Sequence, residues 1–170
     1  SIVIPTLNAA ATLGATLAAL DELPAGGEII VVDGGSTDGT RAVAEARGAG
    51  WAERAGGRGA QLAEGARLAV GDWLLFLHAD TVPAPGWRAA VEAFIGEAAN
   101  RNAAAVFRFR LDDTGAAPRR LERMVAWRGR VLGLPYGDQG LLMSRRLYDA
   151  VGGFQDLALM EDVDMARRLG

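Results

Sequence analysis

The chain has 170 residues, half of them hydrophobic, with 23 glycines and a formal net charge of −3 from 18 basic and 21 acidic residues. This length suits one domain with a sizeable core, and the acidic balance argues against a general nucleic-acid-binding protein. Because cysteine is absent, disulfides and thiolate metal sites are excluded and a reducing, cytoplasmic compartment is expected. No apolar run approaches the roughly 20 residues that span a bilayer, and no signal peptide is visible.

The first hundred residues alternate short apolar runs with helical patterns. Strands are predicted at Ser1–Pro5, Glu28–Val32, Trp51–Glu53 and Trp73–Leu77, and helices at Ala9–Leu20, Arg41–Arg47, Ala60–Ala69 and Trp87–Ala98. Glycine-rich loops separate them, among them Gly56–Gly59. Alternating strands and helices with short links predict a parallel α/β sheet with right-handed connections.

The pattern changes in the last seventy residues. Further strands are predicted at Ala103–Leu111 and Leu141–Ser144, and helices at Arg119–Leu132, Arg145–Val151 and Glu161–Leu169. Two glycines, Gly152 and Gly153, should end the penultimate helix. No repeat or interdomain linker is visible, so residues 1–170 are expected to form a single domain, trimmed at both ends, with a mixed C-terminal part.

Polar residues follow two of the buried strands. The run Trp73–Leu77 suits a strand in the middle of a parallel sheet, and it ends at His78-Ala79-Asp80, where ligands bind in open α/β sheets. The Asp80 carboxylate there suits a hard divalent cation held against a diphosphate; equally, it suits an ordinary capping residue. The segment Asp33–Asp38 fits either a nucleoside-binding loop or a glycine-containing turn that caps the next helix.

Three weaker signals complete the candidate set. Arg54 and Arg58 lie in a glycine-rich loop suited to a diphosphate, although surface arginines need no special role. His78, the single histidine, could be structural or could support Asp80. Near the C-terminus, Glu161, Asp162 and Asp164 begin a helix, which fits either the helix dipole or a general base.

Two common phosphate-binding motifs are absent. The dinucleotide fingerprint requires Gly-x-Gly-x-x-Gly after the first strand, where this chain has Pro5-Thr6-Leu7-Asn8. A Gly-Lys-Ser/Thr phosphate loop is missing as well.

Six segments in order resemble family-2 glycosyltransferases with a GT-A fold. They are Ser1-Ile2-Val3-Ile4-Pro5-Thr6-Leu7-Asn8, Ile29 to Thr40, Gly57-Arg58-Gly59, Leu75 to Thr81, Gly152-Gly153-Phe154 and Glu161-Asp162. The loop Gly137-Asp138-Gln139-Gly140 also resembles a bacterial subgroup of small, soluble members often found beside radical-SAM genes. The resemblance implies a Rossmann-like three-layer α/β/α sandwich whose central sheet is mostly parallel.

The resemblance further implies an inverting hexosyltransferase that uses a nucleoside-diphosphate sugar, foremost a UDP-sugar, and Mn²⁺ or Mg²⁺. The donor-binding residues would be Pro5, Thr6, Asn8, Asp33, Gly35, Ser36, Arg58, Asp80, Asp138 and Gln139. The metal would be held by Asp80, the second carboxylate of the family's Asp-x-Asp signature, with support from His78. Asp162 would be the base that deprotonates the acceptor hydroxyl, and Glu161 would position the acceptor or the base.

Two positions depart from the family pattern. The Asp-x-Asp signature reads His78-Ala79-Asp80, which weakens the case for tight metal binding. Many relatives carry two adjacent acids after the second strand, where this chain has Asp33-Gly34, so the identity of the sugar nucleotide stays open.

Other functions compete with transfer. A nucleotide-sugar-binding module without catalytic activity is supported by His78 and opposed by the intact Glu161-Asp162 pair. A sugar-1-phosphate nucleotidyltransferase would carry a basic glycine-rich loop after the first strand, which Thr6-Leu7-Asn8 lacks. The arginines between Arg119 and Arg130 would suit peripheral contact with an anionic membrane at its inner face or with a lipid-phosphate acceptor; equally, they would suit a solvated helix face.

Overall fold

A computed structural model describes residues 1–24, 26–110, 115, 120, 139–157 and 160–169, which form a sheet with helices on both faces. The strands are β1 (Ile2–Thr6), β2 (Ile29–Asp33), β3 (Gly50–Glu53), β4 (Trp73–Phe76), β5 (Ala104–Ala105) and β6 (Leu141–Ser144). The helices are α1 (Ala10–Ala19), α2 (Thr40–Ala46), α3 (Arg58–Leu68), α4 (Trp87–Gly96), α5 (Arg145–Ala150) and α6 (Glu161–Leu169), with a 3₁₀ turn at Ala98–Asn102. This arrangement confirms the predicted α/β class.

The sheet has the order β3-β2-β1-β4-β6-β5. Strands β1 to β4 run parallel to one another, whereas β6 is antiparallel to both β4 and β5. The expected mixed C-terminal part is therefore present. The strand predicted at Trp73–Leu77 lies in the interior of the sheet, as expected, and it forms the boundary between the parallel and antiparallel parts.

Each side of the sheet has its own core because successive strand residues face opposite layers. Val3, Val32, Leu74 and Met143 pack with helices α3, α5 and α6. Their neighbours on the opposite face pack with helices α1, α2 and α4; these are Ile2, Ile4, Val31, Leu75 and Leu142. The strands thus read as continuous apolar runs because both faces are covered.

The strand order places a crevice beside β1. From this central strand the sheet extends to β2 and β3 on one side and to β4 on the other. Helices α1 and α2 cover one face of the sheet, whereas α3, which connects β3 to β4, covers the other. The direction of strand order therefore reverses at β1, and a crevice outside the carboxyl ends of β1 and β4 is the place where a ligand is expected. The antiparallel β6 begins at the same edge, since Leu141 pairs with Phe76 at the end of β4.

The predicted strand Ala103–Leu111 was too long. Only Ala104 and Ala105 pair with β6 in regular register. Beyond them Gly140 adopts a φ of +66°, and the pairing continues through Gln139 instead. The Gln139 carbonyl accepts from the Phe107 amide at 2.9 Å, and its side-chain amide donates to the Phe107 carbonyl at 3.1 Å. A side chain therefore replaces a backbone partner at this edge.

Helix α3 begins two residues earlier than predicted, so Arg58 and Gly59 belong to its first turn and not to a loop. Gly57, with a φ of +95°, precedes the helix. At Gly59 a Cβ atom would collide with the carbonyl of Gln155 and lie 2.8 Å from that of Leu157. This glycine allows the helix start to pack against the 155–157 segment.

Several sequence predictions lie outside the described residues. They include the turn Asp112–Pro118 apart from Gly115, the helix Arg119–Leu132 apart from Arg120, and Asp138. Within the described part of the chain, no helix is both long enough and apolar enough to cross a membrane.

Gly65 brings α3 against the sheet, and replacing it with alanine should destabilise the fold. A Cβ at this position would collide with Val3 and lie 3.1 Å from Val32 Cγ2. We expect Gly65→Ala to lower the free energy of unfolding by about 1–3 kcal/mol, despite the higher helix propensity of alanine. Urea unfolding measures the change.

Gly96→Ala provides the matched control, because Gly96 is also helical and no atom lies within 4 Å of an added Cβ. It should leave stability unchanged or raise it by up to about 1 kcal/mol. Equal stabilities of the two variants would contradict the close packing of α3.

Candidate active site

Asp33 fastens the loop that follows β2. Its Oδ1 accepts from the hydroxyls of Thr6 at 2.9 Å and Ser36 at 2.5 Å. Its Oδ2 accepts from the backbone amides of Gly35 at 2.9 Å and Ser36 at 2.6 Å. The residue is only 3% exposed. Since a carboxylate has about four acceptor positions, the protein itself fills them all.

These bonds determine the charge state of Asp33. Burial raises the pKa of the carboxyl group, but the donors from Ser36, Gly35 and Thr6 together outweigh burial. The pKa of Asp33 therefore lies below its ordinary value of 3.8. The loop is built around a permanent negative charge.

The loops after β1 and β2 are joined into one unit. The Asn8 amide donates to Ser36 Oγ at 2.7 Å, and Asn8 Oδ1 accepts from the Thr37 amide at 2.9 Å. Asn8 adopts a φ of +52°, a conformation that asparagine tolerates better than most residues. Asp38 extends the connection to α1 by accepting from the Ala10 amide at 3.1 Å. Asp38 also accepts from the amide of Thr40, the first residue of α2. The N-cap position of this helix is taken by Gly39, without a side-chain cap, and not by Ser36, Thr37 or Asp38.

Gln61, on helix α3, also holds the loops after β1 and β2 in place. It was not among the predicted site residues. Its side-chain amide donates to the carbonyls of Thr6 at 2.7 Å and Val32 at 2.8 Å, and the residue is 5% exposed. It lies on α3 one turn after Arg58. The sequence does offer a signal for this role, because Gln61 lies on the apolar face of a helix. A buried side-chain amide without hydrogen-bond partners would destabilise the fold, so partners for it are to be expected.

The predicted donor-binding residues thus fall into two groups. Pro5, Thr6 and Asp33 are buried and shape the loops. The crevice surface is formed by residues with exposed or half-buried side chains and backbone, among them Asn8, Gly35, Ser36 and Arg58. For Asp33 to bind a nucleoside directly, one of its four internal donors would have to be displaced.

An ion pair connects this crevice to the last helix. Arg58 Nε donates to Glu161 Oε1 in a close contact. The Glu161 side chain is 1% exposed, whereas that of Arg58 is 38% exposed. The other carboxylate oxygen, Glu161 Oε2, has no hydrogen-bond partner among the residues that the structure describes. The pair brings together two residues that the sequence assigned to different roles.

The three acids at the start of α6 have different environments. Asp164 binds Arg168 at 2.6 Å, and Arg168 also donates to the carbonyls of Val151 and Gly153. Asp164 thereby helps to dock the helix on the glycine turn that ends α5. Asp162 accepts from the Val163 amide at 2.8 Å and, like Glu161, lines a cavity.

This cavity, with an empty volume of about 470 Å³ including its open mouth, lies between α3, α6 and the ends of β4 and β6. Among the residues that the structure describes, its polar lining groups are His78, Glu161 and Asp162, and the other lining side chains are hydrocarbon. Leu62, Phe76 and Phe154 form part of its wall and belong to the core. The cavity therefore presents acids beside an apolar surface.

The predicted metal ligands differ in their surroundings. Asp80 is exposed just beyond β4, while His78 is half-buried and lines the cavity with the acids. Within the described ranges, no group of three or more histidine, cysteine, aspartate or glutamate side chains could hold a metal ion. Asp80 offers the oxygen that Mg²⁺ or Mn²⁺ prefers, so a cation here would need further oxygens from a ligand.

The loop Gly137–Gly140 contributes less than predicted. Gln139 is buried, and its amide supports Phe107, as described for the sheet edge. Asp138 lies outside the described residues.

Comparison with known families and proteins places these features in context. The family model described as glycosyl transferase family 2 matches residues 1–155. A "PGL/p-HBAD biosynthesis glycosyltransferase" is 42% identical over 106 residues, both in Mycobacterium bovis and in Mycobacterium tuberculosis. That alignment covers 57% of this chain and 41% of the relative, so the chain spans less than half the length of the curated relatives it matches.

Solved structures of other proteins share this fold. Residues 1–349 of Staphylococcus aureus TarS superpose with a TM-score of 0.76 at 18% identity, over 99% of this chain and 54% of that one. Glucosyl-3-phosphoglycerate synthase from M. tuberculosis was solved with Mn²⁺, UDP and glucosyl-3-phosphoglycerate. It superposes with a TM-score of 0.62 at 26% identity, over 85% of this chain and 56% of that one. The expected GT-A fold is confirmed.

Asp33→Asn should destabilise the protein in a pH-dependent way. An asparagine amide would face hydrogen-bond donors, so we expect a loss of about 1–3 kcal/mol at neutral pH. Because the folded pKa of Asp33 is lowered, its contribution is complete above the ordinary value of 3.8 and disappears as the pH falls through the folded value. The difference between the two proteins should therefore shrink in acid, as measured by urea unfolding at several pH values.

Asp156→Asn is the control for this measurement. Asp156 pairs with Arg54 at 3.6 Å between exposed side chains, and such pairs contribute about 0–1 kcal/mol. A constant difference between wild type and Asp33→Asn at all pH values would contradict the proposed charge state.

Proposed function

We propose that this chain, which belongs to glycosyl transferase family 2, transfers a sugar from a nucleoside-diphosphate sugar to an acceptor hydroxyl with inversion. UDP-sugar is the proposed donor, and residues 1–170 are proposed to form one catalytic domain. The observation that carries the proposal is the Arg58–Glu161 pair, which joins a rigid loop crevice to a helix start bearing acids. The cysteine-free composition supports a cytoplasmic location.

The donor would occupy the crevice beyond β1 and β2. Asn8, Gly35 and Ser36 form a surface whose geometry is fixed before any ligand binds, which lowers the ordering cost of binding. The half-exposed Arg58 guanidinium suits the diphosphate. The relative glucosyl-3-phosphoglycerate synthase, solved with UDP and Mn²⁺, supports the choice of uridine and of a divalent cation.

A divalent cation fits the exposed Asp80 carboxylate only if the diphosphate supplies most of its remaining ligands, with His78 in a supporting position. Such a cation would neutralise the negative charge that develops on the departing diphosphate. The Arg58 guanidinium, which this chain supplies itself, can share that task.

Asp162 is the proposed general base. Its carboxylate would take the proton of the acceptor hydroxyl as the hydroxyl oxygen bonds to the anomeric carbon of the sugar. The bond from that carbon to the diphosphate oxygen breaks on the opposite face, so the sugar is inverted and the nucleoside diphosphate leaves. Glu161, held by Arg58, would orient the acceptor beside this base.

Replacing Asp162 with asparagine should abolish transfer and leave donor binding intact, because only the proton acceptor is lost. Transfer is measured as release of nucleoside diphosphate, and donor binding by calorimetry. Asp164→Asn, the same change two residues away, is the control. It should retain transfer, since Arg168 keeps its bonds to the carbonyls of Val151 and Gly153 and these still hold the helix. Undiminished transfer by Asp162→Asn would rule out this base.

Nucleoside diphosphates should stabilise the protein against heat in a metal-dependent way. A ligand at 100 times its dissociation constant stabilises by about 2.7 kcal/mol, so UDP with Mn²⁺ should shift the melting temperature more than UDP with chelator. Asp80→Asn should reduce the metal-dependent part of this shift. Asp72→Asn, an exposed aspartate that precedes β4, should leave it unchanged.

The outcomes separate the candidate functions. A shift without any transfer would favour a nucleotide-binding module, for which His78 in place of a first signature acid is the supporting feature. Equal shifts with metal and with chelator would contradict the role of Asp80.

A further inference from the structure

The cavity beside Glu161 has a chemical character that the proposed reaction does not explain. Apart from His78, Glu161 and Asp162, the described part of its lining is hydrocarbon, including residues of α3 and α6 and of the adjoining ends of β4 and β6. Leu62, Phe76 and Phe154 are buried parts of that wall. A sugar or phosphorylated acceptor placed here would lose the hydration of several polar groups and would gain few polar partners in return, which is costly.

Glu161 supplies an unsatisfied hydrogen-bond acceptor that a ligand in this cavity could use. One of its oxygens is bonded to Arg58, and the other, Oε2, has no hydrogen-bond partner within the part of the chain that the structure describes. The side chain is 1% exposed and lines the cavity. A buried acceptor left unsatisfied is unfavourable, so a hydroxyl donated by a ligand would be strongly selected.

We propose that the cavity binds the acceptor, and that this acceptor is a hydrocarbon ring or chain carrying a hydroxyl group. The hydrocarbon part fills the apolar wall, and the hydroxyl donates to Glu161 Oε2. This inference rests on the proposed function, because Glu161 and the proposed base Asp162 are consecutive residues at the start of α6. In the resting complex the hydroxyl would direct its single proton to Glu161 Oε2, and it would turn that proton to Asp162 when transfer occurs. The cavity would then select acceptors that place one hydroxyl at Glu161 Oε2 and hydrocarbon against the surrounding apolar surface.

The arrangement also explains why Arg58 pairs with Glu161. The guanidinium balances the buried charge, so Glu161 acts as a hydrogen-bond acceptor and not as a donor. An apolar alcohol or phenol satisfies such a group, whereas a hydrocarbon of equal shape does not.

Binding of two matched probes tests the proposal without requiring turnover. By ¹⁹F NMR, 4-fluorophenol should bind at least about tenfold more tightly than fluorobenzene, because only the phenol donates a hydrogen bond to a charged acceptor. In Glu161→Leu this preference should disappear while fluorobenzene binding persists. A preference unchanged in this variant overturns the role of Glu161.

A second variant tests the cavity where folding is not at risk. Val106 lines the cavity and is 40% exposed, so Val106→Trp should obstruct the cavity and weaken 4-fluorophenol binding by about tenfold or more. Val70→Trp is the control, because Val70 is 82% exposed in the loop between α3 and β4. Binding that survives Val106→Trp overturns the assignment of the cavity.

Further probes distinguish the acceptor chemistry and keep the two proposals separate. 4-Fluoro-1-butanol tests an aliphatic hydroxyl, and 2-deoxy-2-fluoroglucose tests a polyhydroxylated acceptor. Binding of either hydrocarbon alcohol supports the inference, whereas preference for the glucose derivative overturns it. If UDP binding and transfer are present but neither alcohol binds, only this inference fails; if the alcohols bind without any transfer, the proposed function fails and the binding site stands.

Discussion

The ion pair between Arg58 and Glu161 is the interaction on which the arrangement of the site depends. The two residues are 103 positions apart, at the starts of α3 and α6, and their contact brings the glycine-rich crevice against the acidic helix. Glu161 is almost fully buried, so loss of Arg58 would leave an uncompensated charge, which is far more costly than loss of an exposed ion pair. The pair therefore fixes both the position of α6 and the position of Asp162 relative to the crevice.

The two halves of the site are built by opposite physical strategies. The loops after β1 and β2 are held by a dense polar network centred on Asp33 and supported by Gln61. Such a network is rigid because each member is satisfied by the others. The described lining of the cavity beside α6 is instead mostly hydrocarbon and includes one unsatisfied oxygen, Glu161 Oε2. A preformed polar surface suits a charged ligand such as the nucleoside diphosphate. An apolar cavity instead distinguishes acceptors by their shape and by one hydrogen bond.

Much of the fold could be predicted from local patterns. Four strands could be recognised because each is a short apolar run that the fold buries; these are β1, β2, β4 and β6. Helix α5 could be recognised because two glycines end it. The errors arose where tertiary contacts override local preference. Residues 106–110 alternate like a strand, yet regular pairing stops after Ala105, because Gly140 turns the partner chain and Gln139 takes over the bonding. Arg58 and Gly59 resemble a loop, yet they enter α3, because Gly59 fits against the backbone of residues 155–157.

The sequence by itself determined the fold class, the family and the edge of the sheet where polar residues collect, because these follow from periodicity and from the order of short motifs. It did not determine which of those residues face a ligand. Asp33 is a strand-end carboxylate in the sequence, but only the folded chain shows that four internal donors occupy it. Glu161 and Asp164 look equivalent in the acidic run, and tertiary structure alone separates them: Glu161 pairs with Arg58 at the cavity, whereas Asp164 pairs with Arg168 to dock the helix. The physical reason is that burial and hydrogen-bond partners come from residues distant in the chain, and these decide what a carboxylate does.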